Sequence, residues 1–186
     1  DLSAPQGRAM ITVKEYAARR RELMAMMAAN SIAIVTAAPE KIRSRDIHYP
    51  YKQATSLSYL CGFAEPESVL VLIPGREQGE CLLFCREKDK LRETWDGYRS
   101  GPARAVTDFS VDDSFPIGDI DEILTGMLEG KERVYYAIGK THRTLKFFHH
   151  FFCLGSIHAC KWIIGVISSH VCHCGRLFLL SCNGKH

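Results

Sequence analysis

The chain has 186 residues, 46% apolar and 24% charged, with 24 Lys plus Arg against 21 Asp plus Glu. This is the balance of an ordinary globular protein, and it excludes a disordered chain, a collagen repeat and a coiled coil. A formal net charge of +3 is too small to mark a nucleic-acid binder, and no nucleic-acid partner is expected. The charge is unevenly divided. Residues 1 to 144 carry a net −1, whereas residues 145 to 186 carry Lys146, Lys161, Arg176 and Lys185 and no acid, a net +4. Residues 1 to 9 hold no apolar run that could serve as a secretory signal, and they precede Met10. They are read as a leader foreign to the domain, with a cytoplasmic location expected.

In chain order, Thr12-Val13-Lys14-Glu15 is a capping-box pattern that predicts a helix, rich in Ala, Leu and Met and stopping by Asn30. Arg19, Arg20 and Arg21 within it read as a solvated face rather than an anion site. Ser31 to Ala37 is a short apolar run of strand length, suited to burial on both faces. Val69 to Ile73 and Cys81 to Phe84 are two more such runs, and Pro74 to Gly79 between them predicts an antiparallel hairpin. Asp119 is placed to cap a helix with Ile120, Ile123, Leu124, Met127 and Leu128 at helical spacing, ended by Gly130. A strand over Val134 to Ile138 follows. Strands alternating with helices predict an α/β fold with a mixed sheet flanked by helices.

Chemistry is sparse. There is no Gly-rich phosphate loop, no His-Glu-x-x-His and no Gly-x-Ser-x-Gly. No catalytic residue and no metal ligand is assigned in residues 1 to 144, where the only histidines are His48 and His142. His48 reads as a surface histidine rather than a base. Cys61, Cys81 and Cys85 sit in apolar, strand-like contexts and read as buried free thiols. Tyr49, Pro50, Tyr51, Leu57, Tyr59, Leu60 and Phe63 read as core packing rather than as a peptide-binding stripe. Glu65 and Glu67, beside a turn shaped by Gly62 and Pro66, read as solvated or cap-like.

Residues 145 to 186 are rich in Cys, His and Phe. Their cluster around His170-Val171-Cys172-His173-Cys174 departs from the paired spacing of zinc folds. The apolar runs Phe147 to Cys160 and Trp162 to Gly175 are 14 residues each, shorter than the roughly 20 that a spanning helix needs, so no membrane partner is expected.

Seven ordered blocks resemble the N-terminal domain of the Xaa-Pro aminopeptidases, the aminopeptidase P family, in its bacterial form. They are EYAARRREL (Glu15 to Leu23), RDIHYPYKQ (Arg45 to Gln53), YLCGFAEPESVLVLIPG (Tyr59 to Gly75), CLLFCREKD (Cys81 to Asp89), WDGYRSG (Trp95 to Gly101), FPIGDIDEIL (Phe115 to Leu124) and VYYAIG (Val134 to Gly139). The resemblance implies a creatinase-like α/β domain over residues 10 to 144, placed before a "pita-bread" catalytic domain. The family removes the N-terminal residue that precedes proline. Two metal ions, commonly Mn²⁺, share a bridging hydroxide held by two Asp, one His and two Glu of that second domain. By this resemblance the chain lacks those ligands, so no cofactor and no activity are expected of it alone. The N-terminal domain is expected to restrict access to the peptide site and to support oligomer contacts. Its partners would be the catalytic domain or full-length aminopeptidase subunits, with proline-containing peptides bound by the whole enzyme.

Trp95, with Asp96, Gly97, Arg99 and Gly101 around it, is the candidate residue at the mouth of that site or at a subunit contact. An indole stacks on a proline ring or packs across an interface, and a local core anchor is the alternative. The tail is expected to have left the family's reading frame near Lys140 to Leu145. A different class of reading is a stand-alone, non-catalytic module that docks on a full-length aminopeptidase.

Overall fold

The computed structural model describes residues 11–45, 47–136 and 162–165. Helix α1 spans Val13–Met26, and the Thr12 hydroxyl accepts from the Glu15 amide at 3.4 Å, as the capping box requires. Glu15 turns instead to Arg19, at 3.1 Å. The helix ends at Met26, ahead of the predicted stop. Asn30, at φ 54°, is the bend that feeds strand β1 (Ser31–Thr36).

Strands β4 (Val69–Leu72) and β5 (Cys81–Cys85) form the predicted antiparallel hairpin, with Leu72 opposite Cys81. β1 pairs antiparallel with β4 and parallel with β7 (Arg133–Tyr136), while β6 (Asp113–Pro116) adds parallel to β5. The tail supplies β8 (Trp162–Gly165), parallel to β7. The order β6-β5-β4-β1-β7-β8 makes one six-stranded mixed sheet among the described residues. β2 (Ile42–Ser44) and β3 (Ile47–His48) form a separate, fully exposed hairpin.

The apolar runs lack alternation because both faces of the sheet are covered. Ala33, Leu70, Leu72, Leu83 and the thiols of Cys81 and Cys85 face one side. There they pack against α1, α2 (Thr55–Leu60) and α4 (Gly101–Phe109). Ile32, Ile34, Val71, Leu82, Phe84 and Val134 face the other, under Ile120, Leu124 and Leu128 of α5 (Ile120–Leu128). Asp119 makes no side-chain cap; a 3-10 turn over Ile117–Asp119 leads into α5 instead. The remaining helix, α3 (Lys90–Asp96), lies outside both clusters.

Two further expectations need correction here. Arg20 is not on a solvated face: it is 3% exposed, and its guanidinium donates to the carbonyls of Leu60 at 3.0 Å and Ser110 at 2.6 Å. These carbonyls close α2 and follow α4, so the cation sits at the negative ends of two helix dipoles. Cys61 is buried as expected, but it caps the C-terminus of α2 rather than lying in a strand. Gly62 after it has φ 73°, a backbone conformation that favours glycine, and a Cβ there would lie 2.6 Å from the end of the Tyr16 ring and push it aside.

Candidate functional site

The chain rises from β5 through Arg86 to the Asp89 carboxylate, which accepts from the amides of Leu91 at 3.0 Å and Arg92 at 3.3 Å and so opens α3. Gly97, at φ 84°, ends the helix. α3 lays no apolar residue into the core, and Trp95 is 88% exposed, with Leu91 one turn before it also in solvent. A core-anchor role for Trp95 is therefore excluded by its position.

What fixes this protruding helix is polar. The Glu93 carboxylate accepts from the Arg99 amide at 3.2 Å. The Glu65 carboxylate, 14% exposed, accepts from the Ser100 amide at 2.7 Å through Oε1. Its Oε2 lies 3.5 Å from Arg86 Nη2, in a loose ion pair that leaves Oε2 without a hydrogen bond. Glu65 is thus cap-like, at the entry to α4, while Glu67 is exposed. Tyr98 beyond α3 is held by Arg104, whose Nη1 donates to the phenol oxygen at 2.6 Å.

Behind Glu65, Gln53 knits three segments together. Its amide donates to the carbonyls of Phe63 at 3.1 Å and Glu65 at 2.8 Å, and its oxygen accepts from the Ala38 amide at 3.0 Å and the Tyr51 hydroxyl at 2.8 Å. Burial pushes the Tyr51 phenol up to about 12, with the nearby Glu40 charge adding to the shift. Tyr51 is a neutral hydrogen-bond donor at physiological pH. An open groove of about 690 Å³ runs past the end of β1, between Pro39 and Pro66, with His48 on its wall. His48 is exposed on β3, as expected of a surface histidine.

The aromatic segment divides. Leu57, Leu60 and Phe63 are core, and Phe63 meets Phe109 of α4 edge to face at 5.0 Å. Tyr49 and Tyr59 are about half exposed, so the core-packing expectation does not hold for these two. The three described thiols are buried and free. Desolvation raises Cys61 to about 11 and Cys81 to about 12 and also raises Cys85, so none is a nucleophile near neutrality. Among the described residues no group of three or more His, Cys, Asp or Glu is placed to hold a metal ion. The Cys/His cluster at 170–174 lies outside the described residues.

Gln53 and Arg86 carry no role in the sequence reading. The signals that mark them are a polar side chain closing an aromatic run just before a helix, and a charge that directly follows a fully buried strand.

A mixed sheet covered on both faces, with one helix held outside the core by polar anchors, defines an α/β domain. The model of the aminopeptidase P N-terminal domain matches residues 16–135, and the chain belongs to this family. It is similar to the Xaa-Pro aminopeptidase of Escherichia coli, at 38% identity over 131 residues, covering 70% of this chain and 30% of that protein. It is also similar to human Xaa-Pro aminopeptidase 3, at 34% identity, covering 66% of this chain and 26% of that one. Among solved structures, Pseudomonas aeruginosa aminopeptidase PepP aligns with a TM-score of 0.76 and 46% identity, over 84% of this chain and 37% of that chain. Escherichia coli aminopeptidase P with the inhibitor Pro-Leu aligns at 0.73 and 35% identity, over 78% and 33%. The chain thus spans 26% to 37% of the length of these relatives.

Proposed function

We propose that this chain acts as the N-terminal portion of a manganese-dependent, cytoplasmic Xaa-Pro aminopeptidase. In that role it restricts access to the peptide site and contacts neighbouring subunits, and the 186-residue chain alone does not hydrolyse peptides. The observation that carries this reading is the coincidence of the family match, residues 16–135, with only 30% of the Escherichia coli enzyme. Attack by a metal-bound hydroxide needs several carboxylate or imidazole ligands converging on one point, and the described residues offer no such group. In this reading the residues that hold manganese lie in a partner domain or chain. Trp95 is the residue this reading puts at the mouth or at a subunit contact, because an exposed indole forms a strong contact when covered.

The test is direct. The purified 186-residue chain, supplied with Mn²⁺ and a Xaa-Pro peptide, should release amino acid at the background rate. Turnover that scales with the concentration of the pure chain overturns the reading.

A further inference from the structure

We infer that Glu65 is a positioning residue that sets the direction in which Trp95 is presented. The inference rests on the proposed role of Trp95 at a mouth or contact. α3 is seven residues long and buries none of its apolar side chains, so neither propensity nor packing can hold it in place. Its location is dictated at its two ends.

The N-terminal end continues from β5 through Arg86 and is closed by Asp89. The C-terminal end is joined to the body of the protein at Ser100, whose amide donates to Glu65 Oε1 at 2.7 Å. Glu65 is itself fixed, because its carbonyl accepts from Gln53 Nε2 at 2.8 Å and from the Ser68 hydroxyl at 3.1 Å. A charge-assisted bond from a largely buried carboxylate is stronger than a neutral one, and it ends in a residue five positions from the indole. The Arg86 guanidinium stands on the far side of the same carboxylate, at 3.5 Å. One side chain thus ties together the strand that leads into α3 and the loop that leaves it.

The experiment uses the full chain in a Trp162→Phe background, where Trp95 is the sole tryptophan. Hydrogen exchange and time-resolved Trp95 anisotropy are compared in Glu65→Ala and Glu65→Gln. Glu65→Ala should speed exchange of the Ser100 amide by about tenfold or more and add large-amplitude local motion at Trp95, with the β5 amides still protected. Glu65→Gln keeps an acceptor oxygen and should restore much of the slow exchange and the restricted anisotropy. An unmoved Trp95 in Glu65→Ala overturns the inference. So does loss of β5 protection in both variants, since Glu65 would then serve stability at large. Self-association of a Trp95→Ala chain reads the contact role separately: if it is unchanged, that role fails while the coupling of Glu65 to Trp95 stands.

Discussion

Arg20 shows how one side chain can belong to the core while its neighbours stay outside. Arg19 lies against the Tyr59 carbonyl at 3.1 Å and Arg21 is exposed, but Arg20 shares the buried stripe of α1 with Leu23, Met24 and Met27. The spacing of that stripe was legible, since positions 20, 23, 24 and 27 follow the helical period. What the sequence could not show was the pair of helix C-termini waiting for a planar donor. Arg20→Met leaves the Leu60 and Ser110 carbonyls without a donor and should lower unfolding stability by about 2–4 kcal/mol. Arg20→Lys keeps the charge, but a single ammonium cannot span both carbonyls, and it should recover less than half of that loss. Urea midpoints at constant slope report both values, and a Met variant as stable as the parent refutes this account. The thiols near Arg20 add a pH dependence. Cys61 and Cys81 are raised to about 11 and about 12, so above their ordinary value near 9 the unfolded chain releases protons that the folded chain retains. Stability is therefore full below pH 9 and falls as the pH rises towards 11 to 12, by about 1.4 kcal/mol per pH unit for each titrating thiol. Urea midpoints at pH 8 and pH 10.5 should differ in that direction, and Cys81→Ala should flatten the alkaline slope.

Elements with a strong apolar signal were readable, and those held by polar anchors were not. The β4–β5 hairpin, β1, α5 and β7 all declare themselves through apolar runs or helical spacing, because the sheet is buried on both faces. Their ends moved by a few residues where local geometry intervened, as at Asn30 and at the 3-10 turn before α5. α2 is six residues long and β6 four, too short to display a period. The start of α4 at Gly101-Pro102 has the composition of a loop, although Pro suits the first turn of a helix. α3 has no buried face at all, so its existence rests on the Asp89 cap and on contacts with residues distant in sequence. This also explains why the candidate site was only half legible. Trp95 could be picked out as an unusual residue in a polar loop, but its anchors Glu65, Gln53 and Arg86 acquire their roles only when three separate segments meet.

At the scale of the molecule, among the described residues the tail enters the fold through the strand β8. β8 continues the sheet in parallel with β7, registering Trp162 with Arg133, Ile163 with Val134 and Gly165 with Tyr136. Composition alone gave residues 145–186 no part in the domain, since their lack of acids and abundance of Cys, His and Phe break with everything before them. A strand needs little from composition: four residues with β-branched members can pair with any open edge of matching register. β7 offers such an edge, because its other side is already taken by β1. Removing residues 145–186 strips that cover and leaves the outer hydrogen-bonding groups of β7 facing solvent. An uncovered edge beside a buried sheet is a template for pairing with another chain. The shortened chain should therefore lose about 2 kcal/mol of stability, from a few backbone hydrogen bonds, and should associate as its concentration rises. Thermal melting with sedimentation velocity over a concentration series measures both effects. A shortened chain that melts with the parent and stays at the parent's size would mean that β8 neither stabilises the sheet nor protects its edge, and the domain would then be complete with β7 as its border.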